Sequence, residues 1–229
     1  VIGDAALYLA DCREVLPLLP TVSVDAIITD PPYGIDYQSA WRIDKTTWKP
    51  KLHGDTEPHL DWIPLTIPLL KDNGCCLCFC RWDVEQIFRD ALQDSELDIK
   101  SQVIWDRKVH GMGDLEGAFA PQHDNAIFAT KSAFTFPGKR PYDVISVARI
   151  PPESLVHPTE KPLPLLSYLV RHLTKTGDLV LDPFMGSGVT GIACATLGRR
   201  FVGIEISPEY FKISCKRIQE AQMQLRLDL

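Results

Sequence analysis

Short apolar runs and longer amphipathic stretches alternate along the chain, with polar loops between them. Apolar runs bounded by turn residues are typical of buried strands, whereas a period of 3.6 residues is typical of helices. The pattern predicts strands at residues 6–10, 24–28, 74–80, 99–105, 125–129, 178–181 and 201–206. It predicts helices at residues 12–19, 59–71, 84–92, 163–173, 189–197 and 208–217. We therefore expect an α/β fold: a doubly wound, mostly parallel seven-stranded sheet with one antiparallel hairpin, formed by 99–105 and 125–129.

Composition adds few constraints to this picture. The chain has 229 residues, of which 45% are hydrophobic and 24% charged, so we expect a single domain over residues 1–229. No apolar run is long enough to span a membrane, and no signal peptide is visible. The chain opens on Val1 instead of Met, so its natural start is expected to lie upstream.

The seven cysteines raise the question of a metal site. Four of them lie in one predicted strand: Cys75, Cys76, Cys78 and Cys80. On a strand the three even-numbered cysteines point to one face, and Cys75 points to the other face with Leu77 and Phe79. This alternation predicts small buried side chains in a central strand, with reduced thiols and no metal ion.

The first candidate for chemistry is the segment 30–34, Asp-Pro-Pro-Tyr-Gly, which follows the apolar run 24–28. Two consecutive prolines cannot continue a central strand, because each lacks a backbone N–H donor. The carboxylate of Asp30 and the carbonyl of Pro31 are two acceptors that suit an NH₂ group, and the ring of Tyr33 can stack on a planar base. A strand-ending turn with a capping Asp is the simpler alternative, but it does not account for the tyrosine.

A second candidate follows the strand at 178–181. The segment 182–188, Asp-Pro-Phe-Met-Gly-Ser-Gly, leads into a helix, and its glycines allow a ligand to approach the backbone. Glu205 closes the next strand, where an acidic residue binds ribose hydroxyls in nucleotide-binding folds. A tight strand-to-helix turn is the alternative. The third glycine of the dinucleotide fingerprint is missing, which disfavours a nicotinamide enzyme.

Three motifs in this order resemble those of the beta group of exocyclic-amino DNA methyltransferases. They are the segment 30–34, the segment His157-Pro158-Thr159-Glu160-Lys161-Pro162, and the segment 182–188. The resemblance covers essentially the whole chain apart from the loops at 35–58 and 107–122. Because Asp stands first in Asp-Pro-Pro-Tyr, it implies the adenine-N6 type more than the cytosine-N4 type, in which Ser is usual. It also implies a cytoplasmic, nucleoid-associated enzyme of a bacterial or phage-infected cell, of the kind found in restriction-modification.

The resemblance further implies S-adenosylmethionine as the cofactor. In that family the residues matching Asp11 and Cys12 flank the cofactor's adenine, and those matching Thr159 and Lys161 contact its carboxylate. The implied cofactor residues are Asp11, Cys12, Thr159, Lys161, Asp182, Pro183, Phe184, Gly186, Ser187, Gly188, Thr190 and Glu205. For Asp11 and Cys12, a helix N-cap and a buried thiol are the alternatives.

Two positions depart from the family pattern, and one residue keeps a second interpretation. Val189 stands where Thr is frequent, and Glu160 stands where Gln is common. A negative charge at position 160, beside the cofactor carboxylate, is expected to weaken cofactor binding. His157 is alternatively a loop residue that positions the neighbouring prolines.

The implied catalytic residues are Asp30, Pro31, Pro32 and Tyr33. Two acceptors can draw the hydrogens of the target amine out of the base plane and stabilise positive charge on its nitrogen. No covalent intermediate is needed. A base inside a duplex cannot reach this loop, so it must be flipped out onto Tyr33.

Double-stranded DNA is the implied partner, although the net charge of the chain is −6. Local basic loops can neutralise phosphates despite an acidic total. The residues predicted to contact DNA, chiefly from the loops at 35–58 and 107–122, are Arg42, Lys45, Lys49, Lys51, Arg107, Lys108, His110, Lys139 and Arg140. Ordinary solvated surface is the alternative for these loops. A homodimer stays open.

Other functions remain open beside adenine methylation. A cytosine-N4 enzyme would share the same motifs, and a non-catalytic subunit would bind S-adenosylmethionine and DNA without turnover. Methylation of RNA or of a protein glutamine is disfavoured by the order of the motifs and by Asp in place of Asn at position 30. The identity of the methylated base decides between adenine and cytosine, binding without turnover would indicate the non-catalytic subunit, and activity on RNA or protein but not on duplex DNA would indicate the last alternative.

Overall fold

A mostly parallel sheet forms the centre of the computed structural model, which describes residues 1–34, 57–111, 116–157 and 159–227. Its strands are β1 (Ala5–Leu9), β2 (Val24–Thr29), β3 (Leu70–Cys80), β4 (Asp98–Asp106), β5 (His123–Thr130), β6 (Val144–Ser146), β7 (Leu179–Asp182) and β8 (Arg200–Glu205). Their order across the sheet is β1-β8-β7-β2-β3-β5-β4-β6. Strand β5 runs antiparallel to both of its neighbours, and the other pairings are parallel. The predicted fold class and the antiparallel pair are confirmed.

The helices follow the predicted order, with differences in length. They are α1 (Cys12–Val15), α2 (Trp62–Thr66), α3 (Glu85–Asp94), α4 (Leu163–Leu173), α5 (Val189–Leu197) and α6 (Pro208–Leu227), with 3₁₀ turns at Leu16–Leu18 and Pro152–Ser154. Helices α4 and α5 match the prediction residue by residue, and α6 continues past its predicted end. Helix α2 is shorter than predicted, because Pro68 lacks a donor and β3 begins at Leu70. In the part of the chain that the structure describes, no helix is long and apolar enough to cross a membrane.

The prediction of seven strands is wrong by one short strand. Strand β6 lies within residues 131–157, which show no regular pattern, and it pairs parallel with β4. Three residues are too few to show a period of two, so pairing with a neighbour decides the structure here. Ile145 is buried, and Trp105 of β4 donates its indole N–H to the carbonyl of Val147 at 2.8 Å. Strand β3 also starts earlier than predicted, so Gly74 lies inside it.

The two faces of the sheet are covered by different helices. Helices α4, α5 and α6 pack on one face, around Leu165, Val170 and Ile218. Helices α1, α2 and α3 pack on the other face, around Trp62 and Phe88. This two-sided cover explains why the strands read as continuous apolar runs instead of alternating ones.

The cysteines of β3 divide between the two faces as predicted. Cys75 lies with Leu77 and Phe79 in the core beneath α4, α5 and α6, which we call the first core. The even-numbered cysteines lie in the core beneath α1, α2 and α3, which we call the second core. All four are buried free thiols in a strand flanked by β2 and β5. Burial raises their pKa values, so these thiols are protonated at neutral pH.

The order of the strands brings the two candidate segments together. Strands β2 and β7 are parallel neighbours, with Ala26 opposite Val180 and Ile27 opposite Leu181. After β2 the chain continues towards β3, and after β7 it continues towards β8 on the opposite side. The two connections diverge at this point, and such a switch in direction opens a crevice at the carboxyl ends of the strands.

Candidate active site

Asp30 directly follows β2, and two donors of the protein hold its carboxylate. Tyr33 donates its hydroxyl to Oδ1, and Lys161 donates its ammonium group to Oδ2. The Lys161 side chain is 11% exposed and that of Asp30 is 21% exposed, so this ion pair is largely shielded from water. The Lys161 Nζ also lies 4.9 Å from the ring centroid of Phe79. Asp30 is thus already neutralised by a cation of its own chain.

The ring of Tyr33 is fixed by the second core. It meets Phe88 of α3 edge-on, with 6.4 Å between the ring centroids, and its backbone forms a β-bridge with Pro58. Burial, and then the neighbouring Asp30, raise the pKa of the Tyr33 hydroxyl, which therefore acts as a donor. Gly34 follows with φ +78°, and a Cβ there would lie 2.4 Å from the backbone nitrogen of Pro58. Only glycine fits this turn.

Asp182, the last residue of β7, is buried and accepts three hydrogen bonds within the protein. Its Oδ1 accepts from the Thr29 hydroxyl at 2.8 Å and from the Phe184 N–H at 3.1 Å, and its Oδ2 accepts from the Thr190 hydroxyl at 2.8 Å. Burial raises the pKa of Asp182 to about 6, although these three donors oppose the rise. Asp182 therefore braces the end of β7 against the end of β2.

The glycine turn, residues 182–188, packs closely on α6. Gly188 has φ +83°, and a Cβ at this position would lie 2.7 Å from the Cβ of Ser214. The Gly186 N–H donates to Oε2 of Glu205 at 3.0 Å, and the Ser207 N–H donates to Oε1 at 2.8 Å. Burial raises the pKa of Glu205, although the hydrogen bonds from these two backbone N–H groups act to lower it. Each oxygen of Glu205 keeps lone pairs that can accept from hydroxyl groups.

Asp11 and Cys12 lie at the carboxyl end of β1, next to β8. Asp11 caps α1 by accepting from the Arg13 N–H at 2.9 Å, and it also accepts from the Arg13 guanidinium. That hydrogen bond is the main reason why the pKa of Asp11 is lowered. Cys12 is buried, which raises the pKa of its thiol to about 12. The structure shows the cap and the buried thiol, and contact with a cofactor adenine stays a prediction.

The 156–161 loop, of which Pro158 lies outside the described residues, forms the third side of the site. The Thr159 backbone N–H donates to Nδ1 of His157 at 3.3 Å, and the Thr159 hydroxyl lies 3.2 Å from the same nitrogen. The ring of His157 packs against the ring of Tyr210 in α6, with 4.3 Å between the ring centroids. Glu160 forms an ion pair with Arg217, with 2.7 Å between Oε1 and Nη2. The charge at position 160 is therefore compensated within the protein.

These segments line an open cleft of about 480 Å³, a volume that includes the solvent at its mouth. It is lined by Ile28, Thr29, Asp30, Phe79, His157, Thr159, Glu160, Lys161, Leu166, Asp182, Phe184, Met185, Gly186, Ser187, Val189 and Thr190. Asp30 and the glycine turn thus share one cavity. Over the described ranges, with their gaps, no group of three or more His, Cys, Asp or Glu is placed to hold a metal ion.

The predicted DNA-contacting residues are only partly described. Arg42, Lys45, Lys49 and Lys51 lie outside the described residues. Arg107 is used inside the protein: it forms an ion pair with Asp124 at 3.3 Å and donates to the Pro121 carbonyl at 2.7 Å. Lys108 and His110 are exposed in the same loop, and Lys139 and Arg140 are exposed before β6. For all of these residues, contact with DNA stays a prediction.

Two residues of the site were missed at the level of sequence. Thr29 precedes Asp30 and holds Asp182, and its signal was a hydroxyl at the end of an otherwise apolar strand. Arg217 bonds to both Glu160 and Ser187, and nothing in the local pattern of α6 marks it. Such partners become visible only when distant segments are placed side by side.

The cleft has the chemistry that S-adenosylmethionine needs. A sharp glycine turn follows β7, and Lys161 in the cleft can pair with a carboxylate. The part-buried Glu205 at the end of β8 is bonded to this turn and can accept from ribose hydroxyls. Phe184 and Met185 add apolar surface beside these polar groups. With a parallel sheet of this strand order, the cleft defines the class of S-adenosylmethionine-dependent methyltransferases.

Comparison with known proteins names the family within this class. A family model described as DNA methylase, for N6 and N4 methyltransferases, matches residues 24–216, and the chain belongs to this family. It is 30% identical to the type II methyltransferase M2.DpnII of Streptococcus pneumoniae, over 92% of this chain and 88% of that protein. It is 28% identical to the type II methyltransferase M.HpaI of Haemophilus parainfluenzae, over 94% of this chain and 74% of that protein. The resemblance of the three motifs is confirmed, and so is S-adenosylmethionine as the cofactor.

Solved structures agree with this assignment. The M1.HpyAVI–SAM complex superimposes with a TM-score of 0.71 at 29% identity, covering 93% of this chain and 99% of that one. The PvuII DNA methyltransferase, which is cytosine-N4-specific, gives a TM-score of 0.73 at 15% identity, covering 96% and 92% of the two chains. At that identity the likeness to the PvuII enzyme shows the fold alone.

The environment of Asp182 leads to a prediction about pH. Its pKa is 3.8 in an unfolded chain and about 6 in the folded one, so the folded protein binds this proton more tightly. The stability that the proton contributes is complete below about pH 4 and is lost as the pH rises through about 6. In Asp182→Asn, an amide can bond to the same threonines without ionising. Between about pH 4 and pH 7 the free energy of unfolding of this variant should rise relative to the wild type by up to roughly 3 kcal/mol.

Urea unfolding of both proteins across this range measures the difference. Asp106→Asn is a matched control of opposite sign, because hydrogen bonds from Gln122, Lys108 and Ser146 lower the pKa of Asp106 to about 2. The stability of Asp106→Asn relative to the wild type should fall as the pH rises from about 2 to about 4, and it should stay flat between about pH 5 and pH 7, where that of Asp182→Asn changes. A flat difference for Asp182→Asn would contradict a raised pKa at this site.

Proposed function

We propose that the protein transfers a methyl group from S-adenosylmethionine to the N6 amine of adenine at a specific sequence in double-stranded DNA. The observation that carries this proposal is the position of Asp30, which lies in the same cleft as the glycine turn that follows β7. The acceptors for an amine and the residues for the methyl donor are thus adjacent. Asp at the first position of Asp-Pro-Pro-Tyr favours adenine over cytosine.

The cofactor is assigned to residues on three segments. Lys161 and Thr159 are proposed to hold its carboxylate, the backbone of 184–188 its methionine part, and Glu205 its ribose. The oxygens of Asp182 are already bonded to Thr29, Thr190 and Phe184. Asp182 is therefore proposed to hold the pocket in shape instead of binding the cofactor through its carboxylate. When bound, S-adenosylmethionine supplies an electrophilic methyl group on a sulfonium ion.

The Asp30 loop is proposed to activate the amine. The carboxylate of Asp30 and the carbonyl of Pro31 accept the two amine hydrogens, which frees the nitrogen lone pair from the base ring and stabilises the positive charge that develops on it. One proton then leaves the methylated amine for solvent. Tyr33 is the platform on which the flipped base stacks, while its hydroxyl keeps the carboxylate oriented.

Lys161 links the two halves of the reaction in this proposal. A cation on Asp30 opposes the positive charge that develops on the amine, because like charges a few ångströms apart repel strongly in a shielded site. The ammonium must therefore leave Asp30 before methyl transfer. The carboxylate of the cofactor offers it a second anionic partner. Capture of the target base should thus depend on prior binding of the cofactor.

The surroundings of the reaction complete the proposal. Duplex DNA is held by phosphate contacts of basic loops, with Lys108, His110, Lys139 and Arg140 as the exposed candidates in the described part of the chain. The proposed location is the cytoplasm, close to the nucleoid. A homodimer stays a prediction, which light scattering of the purified protein tests.

Asp30→Ala should abolish methylation and leave cofactor binding largely intact, because the residue serves the amine and not the cofactor. We expect a loss of at least about a hundredfold in methylation rate, the scale on which one pre-organised electrostatic partner acts. Single-molecule sequencing of DNA from cells that express each protein reports the base and the site, and calorimetry reports cofactor affinity.

The matched control is Asp25→Ala, in the strand that Asp30 follows. Asp25 pairs with Lys71 at 2.7 Å and lies at the opposite end of β2, so its loss should lower stability and preserve methylation. Methylation that survived in Asp30→Ala would refute the role of this carboxylate. N4-methylcytosine as the only product would overturn the choice of adenine.

Lys161→Met should weaken cofactor binding and also uncouple base capture from the cofactor. Once the site is known, 2-aminopurine at the target position reports flipping by fluorescence. In the wild type we expect the signal to require S-adenosylhomocysteine, whereas in Lys161→Met it should rise without any cofactor. Lys71→Met, which removes another lysine–aspartate pair, should behave like the wild type. Cofactor-dependent flipping in Lys161→Met would mean that Lys161 serves the cofactor alone.

A further inference from the structure

Arg217 of α6 bonds to both walls of the cofactor cleft. Its Nη2 donates to Oε1 of Glu160 at 2.7 Å, and its Nη1 donates to the Ser187 carbonyl at 3.1 Å. Glu160 belongs to the 156–161 loop and Ser187 to the glycine turn, two segments that are not adjacent in sequence. Position 217 also lies beyond the residues that the family model matches.

The other side of Glu160 organises its own loop. Its Oε2 accepts the backbone N–H groups of Val156 at 3.0 Å and of His157 at 3.3 Å. The Glu160 side chain is 3% exposed and that of Arg217 is 27% exposed, so water can replace few of these bonds. The conformation of the loop that carries Thr159 and Lys161 therefore depends on a buried carboxylate, and the carboxylate depends on Arg217.

Charge gives a second reason for this dependence. Glu160 lines the cleft in which the carboxylate of the cofactor is placed. A buried carboxylate that loses its cation is strongly unfavourable, and here it would also repel a second carboxylate nearby. Arg217 removes both effects, since it neutralises Glu160 from the side that faces α6.

We propose that Arg217 is a positioning residue for cofactor binding: it sets the spacing between the 156–161 loop and the glycine turn and cancels the charge of Glu160. This inference rests on the cofactor cleft proposed above. Arg217 acts through Glu160 and Ser187 and has no assigned contact with the reacting atoms. Its effect should fall on cofactor affinity and not on the chemical step.

Arg217→Met tests this by a split between affinity and turnover. Calorimetric titration with S-adenosylmethionine should show Kd about tenfold higher or more, which corresponds to about 1.4 kcal/mol. The KM for the cofactor should rise in parallel, and kcat at saturating cofactor should stay within about threefold of the wild type. Thermal unfolding without cofactor measures the structural cost separately.

Arg199→Met is the matched control. Arg199 also donates to backbone carbonyls, including that of Thr174 at 2.7 Å, but none of its partners lines the cleft, whereas Glu160 and Ser187 do. Its loss should lower the melting temperature and leave the Kd for S-adenosylmethionine unchanged. If Arg217→Met also lowered only the melting temperature, Arg217 would be a structural residue and the inference would be wrong.

Charge rescue separates positioning from general damage. Adding Glu160→Gln to Arg217→Met removes the unpaired buried charge, and the amide oxygen can still accept from Val156 and His157. We expect this double variant to bind S-adenosylmethionine more tightly than Arg217→Met and less tightly than the wild type, because the unpaired charge is gone but the bridge to Ser187 is still missing. If Arg217→Met alone does not fold, the double variant still tests the charge argument. A folded double variant whose Kd stayed about tenfold or more above that of the wild type would overturn it. Failure of the wild type to bind S-adenosylmethionine or to methylate DNA would count against the proposed function instead.

Discussion

The hydrogen bond between Thr29 and Asp182 joins the two strand ends from which the active site is built. Its donor ends β2 and its acceptor ends β7, and the two strands are parallel neighbours. Because Asp182 is buried, its carboxylate is costly unless every oxygen has a donor, and Thr190 and the Phe184 N–H supply the others. The loop proposed to bind the amine and the turn proposed to bind the methyl donor are thereby held in a fixed relation. Rigid strands position reacting groups more accurately than loops do.

The rest of the site is organised by the pairing of carboxylates. Asp30 pairs with Lys161, Glu160 with Arg217, and Glu205 with backbone N–H groups on either side. Buried charges of this kind contribute little net stability, since the loss of hydration offsets the attraction. They do fix the relative positions of segments, because a shift would leave a charge unpaired. The cleft is consequently pre-organised before any ligand enters.

The pair between Lys161 and Asp30 differs from the others in its consequences for function. Glu160 and Arg217 can stay together throughout a catalytic cycle, whereas Asp30 must exchange its cation for an amine in the proposed mechanism. In that mechanism the carboxylate of Asp30 is neutralised at rest and becomes available when an anionic partner competes for the lysine. The resting contact keeps a charged residue stable in a half-buried position, since an unpaired carboxylate there would be costly.

Much of this structure could be predicted from the sequence, and the failures have identifiable causes. Helices α4 and α5 were predicted residue by residue because an apolar period and a bounding Pro162 or Gly198 mark them. Strand β6 was missed because three residues hold no period, and its existence depends on β4. Asp11 shows that one local signal can have two interpretations, since a helix cap and a ligand-binding position look alike in sequence.

The sequence by itself determined the fold class, the order of the catalytic and cofactor motifs, and the chemistry at the two strand ends. Those features are local: prolines end a strand, glycines open a turn, and periodicity selects helix or strand. The tertiary structure alone decided that Lys161 rests on Asp30, that Arg217 holds Glu160 and that Thr29 holds Asp182. These partners are separated by 131, 57 and 153 positions in the chain. Only the order of strands and the packing of α6 bring them together, and no local pattern records which distant side chain will compensate a buried charge.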